Sequence, residues 1–163
     1  MAAVTDPAAP PPEVLGLDHA GIVVPDLNQA VEFYVRAFDV EVVGWEDETD
    51  ADADALGLPG EHVRLRGALL RAGGCLLEVH QYLTPTGQTS RRVCDTGIGH
   101  LAFAVSDIDA AYTRLQDEGV SFNTEPRSII YGFYAGRRWV YGQDPWGTVI
   151  ELCQHPENQK GHL

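Results

Sequence analysis

The feature that most constrains this chain is that it repeats itself. Asp18-His19-Ala20-Gly21-Ile22-Val23-Val24-Pro25-Asp26-Leu27 is matched by Gly99-His100-Leu101-Ala102-Phe103-Ala104-Val105-Ser106-Asp107-Ile108, at an offset of 81 residues. The match continues to Ala30 and Ala111, with Tyr34 opposite Leu115. A second landmark recurs at an offset of 73: Gly74-Cys75-Leu76-Leu77-Glu78 and Gly147-Thr148-Val149-Ile150-Glu151. A repeat of this kind predicts two like supersecondary units that bury their apolar faces together. Between its landmarks the second copy is eight residues shorter, and the acidic stretch after Trp45 is the obvious place for the extra length.

Each copy reads in the same order. Residues 17–24 are an apolar, β-branched run and predict a strand. Asp26 follows as a helix N-cap, with Gln29 three residues on, close to a capping box. Leu27, Ala30, Val31, Tyr34 and Phe38 keep helical spacing. Strands are expected at 40–45, 62–71 and 75–82, the last two parted by the turn Gly73-Gly74. In the second copy 98–105 reads as a strand and 107–118 as a helix ended by Gly119. Further strands are expected at 120–122, 129–133, 137–141 and 148–154, with Asp144-Pro145-Trp146-Gly147 as a turn. The unit is βαβββ, twice: an α+β fold of two tandem modules, at 14–84 and 98–155. Residues 1–13 read as a flexible tail, 85–97 as a linker and 156–163 as a C-terminal tail.

The chain's 163 residues suit one domain or two halves sharing a core. It carries 24 acidic and 11 basic side chains, a net charge of −13. That balance argues against a nucleic-acid partner, which needs clustered Lys and Arg, and against anionic membrane surfaces. No apolar run approaches a membrane span. Residues 1–13 are Ala/Pro-rich and lack the basic and apolar parts of a secretory signal, so a cytoplasmic location is expected. Cys75, Cys94 and Cys153 fit reduced thiols better than a disulfide framework. Six acids fall within 46–54, expected as a solvated acidic loop; the EF-hand pattern is absent there.

The repeat places His19 and His100 at equivalent points on the opening strands. It places Glu78 and Glu151 at equivalent points on the closing ones. A glutamate inside an apolar strand is expensive to bury unless paired or metal-bound. Two such glutamates and two histidines at matched positions point to one divalent ion, of Zn, Ni, Co, Mn or Fe. Four ligands in octahedral geometry would leave two positions for water or a bidentate substrate.

These residues are where the chain resembles a known family. Leu-Asp-His-Ala-Gly-Ile-Val-Val-Pro-Asp-Leu, Gly-His-Leu-Ala-Phe-Ala-Val-Ser-Asp-Ile and Asp-Pro-Trp-Gly-Thr-Val-Ile-Glu-Leu resemble the vicinal oxygen chelate superfamily over residues 17–154. That superfamily includes glyoxalase I, methylmalonyl-CoA epimerase, extradiol dioxygenases and the fosfomycin and bleomycin resistance proteins. The resemblance implies paired modules forming a curled mixed sheet around a metal-containing cavity. It implies a small-molecule substrate with adjacent oxygens, a metal-stabilised enolate and a carboxylate that moves a proton. Extradiol dioxygenases use two His and one carboxylate, which His19, His100 and Glu151 could supply, but Glu78 would then have no task. The fourth oxygen ligand favours an isomerase, epimerase or lyase. An Fe(II)-dependent dioxygenase is the alternative, and a resistance or small-molecule binding protein a second one. Glu151 resembles the family glutamate that can leave the metal to act as base. Glu46 or Glu48 falls in the region where epimerases carry a second base. Such sites are built within one chain or between two, so a monomer and a homodimer both fit.

Other residues are candidates on alternation alone. His80 shares a strand face with Glu78 and is an alternative ligand. Arg64 and Arg66 could bind a substrate carboxylate or phosphate, though solvent-facing arginines are the default. Arg138 and Tyr141 precede the final turn, on a strand with one face toward the cavity. Tyr131, with Phe133 and Tyr134, could wall the site, although core packing is the default for such a group.

Overall fold

A computed structural model of the chain describes residues 17–88 and 99–156. The expected tail at 1–13, all but Pro156 of the expected tail at 156–163, Cys94, and residues 89–97 of the expected linker lie outside the described residues. The first module runs β1 (Ala20–Val23), α1 (Leu27–Phe38), β2 (Glu41–Ala51), β3 (Val63–Ala72) and β4 (Cys75–Thr84). The second runs β5 (Leu101–Ala104), α2 (Ile108–Asp117), β6 (Ser121–Phe122), β7 (Arg127–Ser128), β8 (Arg138–Gln143) and β9 (Val149–Gln154). The strands form two mixed sheets, ordered β1-β4-β3-β2 and β5-β9-β8-β6, with β7 also on β8. Each module supplies one mixed sheet, as the α+β reading of two tandem modules expects, and among the described residues no strand pairing joins the two sheets.

The repeat survives at the level of register. In the parallel pair β1/β4, Ala20 stands beside Leu77 and Gly21 beside Glu78; in β5/β9, Leu101 stands beside Ile150 and Ala102 beside Glu151. These are the same pairs under the two sequence offsets. Each histidine therefore precedes a strand whose neighbour carries the glutamate.

The helices begin alike as well. Asp26 and Asp107 are N-caps in extended conformation; the Asp26 carboxylate accepts the Gln29 N–H, and that of Asp107 accepts the N–H groups of Asp109 and Ala110. The capping box is incomplete in α1: the Gln29 side chain donates to the Asp26 carboxylate and not to its backbone. A second device is shared. Gln81 Oε1 accepts the Leu27 N–H and Gln154 Oε1 accepts the Ile108 N–H, each at 3.0 Å. Both glutamines sit at repeat-equivalent places, so each closing strand satisfies a donor that its helix leaves unpaired.

The ends of the helices differ. Gly119 follows Glu118, the C-cap of α2, with φ 98°, and the N–H groups of Gly119 and Val120 return to Gln116 and Leu115 in a Schellman closure. In α1 the left-handed position is taken by Asp39, with φ 55°.

One apolar core spans both modules. Leu27, Ala30, Phe33 and Tyr34 of α1, Leu70 and Val79 of the first sheet, and Ile108, Leu115, Ile150 and Leu152 of the second module belong to it. Helix α1 makes the junction: Phe33 meets Trp146 edge-on at 5.4 Å, and Phe38 stacks on Phe103 at 4.0 Å. The Tyr34 hydroxyl donates to buried Asp144 at 2.8 Å, and the other carboxylate oxygen of Asp144 accepts the N–H groups of Trp146 and Thr148. Arg36 of α1 also pairs with Glu118. No helix among the described residues is long and apolar enough to cross a membrane.

Two expectations are corrected. The acidic stretch 46–54 is not a loop through its length, because β2 runs to Ala51, paired with Val63 across a long hairpin. Its charge is partly offset across the strands: Arg64 lies 2.5 Å from Glu48 and 3.6 Å from Asp50. Residues 129–133 are not a strand. Gly132 and Gly136 take φ of 80° and 87°, and residues 129–136 form a loop closed by Gly136 N–H to Ile129 C=O. Its Tyr131 and Phe133 are 82% and 85% exposed, so packing in the core does not account for these rings.

Candidate metal and substrate site

The four predicted ligands come together as two couples. His19 lies one residue before β1, with Nε2 3.4 Å from Glu78 Oε2. His100 lies one residue before β5, with Nε2 3.1 Å from Glu151 Oε2. No ion pair links one couple to the other among the described residues, and no group of three or more metal-ligating side chains forms there. The donor chemistry of each couple suits a divalent ion. Two ligands about 2.1 Å from a cation and at right angles stand about 3 Å apart, close to both separations.

The surroundings of the couples differ. Asp18 Oδ2 holds His19 Nδ1 at 2.8 Å, and this hydrogen bond, then the Glu78 charge, raises the His19 pKa. An imidazole held this way at Nδ1 presents Nε2 to a ligand. His100 instead meets Tyr141 edge-to-face at 5.0 Å. Tyr141 stands beside Glu151 across β8 and β9, and burial, then the Glu151 charge, raises its pKa. The same two causes push the Cys153 thiol up to about 12, so it stays protonated.

An open cavity of about 210 Å³ lies on the first sheet. It is lined by Trp45 and Glu46 of β2, Gly67 and Leu69 of β3, and Glu78 and His80 of β4, with Gly44 and Ala68 completing it. His80 Nδ1 is 3.6 Å from Glu78 Oε2. Glu46 thus shares a cavity with a candidate ligand, while Glu48 is engaged by Arg64.

The remaining candidates lie elsewhere. Arg64 answers Glu48 and Asp50, and Arg66 donates to Gln81 at 2.9 Å. Arg138 grips Asp109 of α2 with two hydrogen bonds at 2.5 and 2.8 Å, which lower the Asp109 pKa. Tyr131 stands on the exposed loop. Trp45 was not among the sequence candidates; its signal was an aromatic beginning the acidic run on a strand, where alternation alone does not select a face.

Paired βαβββ units carrying a His–Glu couple apiece define a class of protein built by duplication. The family model described as Glyoxalase/Bleomycin resistance protein/Dioxygenase superfamily matches residues 16–152, and the chain belongs to that family. It is 36% identical over 159 residues to a 2-epi-5-epi-valiolone epimerase from an Actinomyces species, covering 89% of this chain and 82% of that one. Among solved structures, a glyoxalase family protein from Bacillus cereus superposes with TM-score 0.70 at 23% identity, covering 90% of this chain and 98% of that one. The fosfomycin resistance protein FosX from Listeria monocytogenes, solved with Mn(II) and 1S,2S-dihydroxypropylphosphonic acid, superposes with TM-score 0.61 at 18% identity, covering 92% and 98%. These two likenesses concern the fold.

Proposed function

We propose that the protein is a divalent-metal-dependent epimerase of a small polyhydroxylated ketone, one in which a carbonyl and a neighbouring hydroxyl present adjacent oxygens. The observation that carries this reading is the pair of repeat-equivalent His–Glu couples, His19–Glu78 and His100–Glu151, in a chain 36% identical to a valiolone epimerase. A cation held by these four side chains supplies Lewis-acid stabilisation of negative charge on a substrate oxygen.

The chain's own residues do the rest. Glu151 withdraws the proton from the carbon next to the carbonyl, and the electron pair passes to the carbonyl oxygen. Inversion requires that a proton return from the opposite face. Glu46 suits that task better than Glu48, because it lines the cavity beside Glu78 while Glu48 is held by Arg64. A homodimer in which the first couple of one copy faces the second couple of the other would bring all four side chains to one cation.

The test is solvent-deuterium incorporation at the carbon next to the carbonyl of 2-epi-5-epi-valiolone, with metal analysis of protein purified without added metal. Exchange with a stoichiometric divalent metal is expected, and Glu151→Gln should lower turnover by about a thousandfold or more while leaving the thermal transition near its original position. Oxygen uptake with catechols in place of exchange, or full activity in Glu151→Gln, would overturn the reading.

A further inference from the structure

We infer that Asp18 is a positioning residue: it fixes the His19 ring so that the first couple, His19–Glu78, anchors the cation, and the second couple, His100–Glu151, is left as the one whose glutamate moves the proton. The inference rests on the metal-dependent epimerase reading and deepens it by dividing the task between the two copies.

The repeat supplies its own comparison. Under the offset of 81 residues, Asp18 stands before His19 where Gly99 stands before His100. Asp18 Oδ2 accepts a hydrogen bond from His19 Nδ1 at 2.8 Å, while His19 Nε2 lies 3.4 Å from Glu78 Oε2. The Asp18 carboxylate occupies one ring nitrogen, so the other is left for a ligand on the side of Glu78. Glycine has no side chain with which to do the same for His100. There the ring meets the Tyr141 hydroxyl, 3.4 Å from both Nδ1 and Nε2. A contact of that length to both nitrogens fixes neither.

The exposure of the pair says what kind of effect to expect. The Asp18 side chain is 88% exposed and that of His19 40%. An ion pair so placed adds little to the stability of a fold. Its consequence lies in orientation, because a ring pinned in advance loses less freedom when it takes a ligand.

The glutamates differ in the complementary sense. By strand register Tyr141 stands directly beside Glu151, where Leu69 stands beside Glu78. Residues directly opposite on neighbouring antiparallel strands share a face. A phenol there offers the Glu151 carboxylate a hydrogen-bond donor when it is not a ligand, and Leu69 offers Glu78 none. The copies have thus diverged twice: the first gained a hold on its histidine, the second a resting partner for its glutamate.

Co(II) binding to the full-length protein stripped of metal can be followed by visible absorption. Asp18→Ala should weaken it at least about tenfold and leave the thermal transition of the metal-free protein in place. Asp18→Asn keeps an acceptor oxygen and should bind Co(II) more tightly than Asp18→Ala. Because Asp18 acts through the imidazole, Asp18→Ala added to His19→Ala should change the affinity by less than about twofold, whereas added to His100→Ala it should still cost about tenfold. If Co(II) binding in the His19→Ala background is too weak to measure, the comparison of Asp18→Asn with Asp18→Ala carries the test. Unchanged affinity in Asp18→Ala, equal affinity in the Asn and Ala variants, or the same loss in both histidine backgrounds overturns the inference. Should Asp18→Ala lose Co(II) while the original protein shows no deuterium exchange into 2-epi-5-epi-valiolone, the role of Asp18 stands and the epimerase reading falls. Should exchange occur while Asp18→Ala keeps its full affinity, the reverse holds.

Discussion

Asp144 is the only charged residue fully buried among the described residues, and four contacts explain how it stays there. One carboxylate oxygen accepts from Tyr34, the other from two backbone N–H groups, and its own N–H donates to Thr148 C=O. Removing one donor from a buried carboxylate leaves its desolvation uncompensated. Tyr34→Phe should therefore cost about 1–3 kcal/mol in urea unfolding. It should not alter metal content, since Tyr34 touches neither His–Glu couple. At this scale the sequence spoke unevenly. The matched positions of His19, His100, Glu78 and Glu151 singled out four residues that the fold sets in two couples. The partner of Tyr34 was not legible, because Asp144 is 110 residues away and its turn reads as an ordinary surface turn.

The helix ends give a contrast within one molecule. Gly119 just beyond α2 and Asp39 just beyond α1 both occupy left-handed backbone, where a side chain is crowded by the neighbouring carbonyl. Gly119→Ala should destabilise by about 1–2 kcal/mol, and Asp39→Gly should stabilise by up to about 1 kcal/mol, both read from urea midpoints at constant slope. Most elements were legible because helical spacing and alternation set in close to where the elements begin. Residues 129–133 failed for a nameable reason. A run of Ile and aromatics carries strand propensity, yet Gly132 with positive φ turns the chain before the run can pair. The acidic stretch failed in the opposite sense: low strand propensity was overridden by the pairing of residues 49–51 with β3, with Arg64 between acids.

At the scale of the whole molecule, separate couples make a direct test of assembly possible. His19→Ala and His100→Ala should each be inactive alone. In a homodimer with centres built across copies, a mixed dimer of the two variants carries one intact centre and one doubly altered one. Co-refolded equal mixtures should regain about a quarter of the original activity, since half the dimers are mixed. A self-contained monomer would regain none. The Tyr34–Asp144 bond has a further consequence. It occurs once, for the position equivalent to Tyr34 is Leu115 and that equivalent to Asp144 is Arg71. Helix α1 lies in the first unit by chain order, yet its aromatic face is completed by Phe103 and Trp146 of the second. The two units are therefore not interchangeable parts. A gene cut between the modules would release two polypeptides that dissolve poorly apart and recover their solubility only when made together.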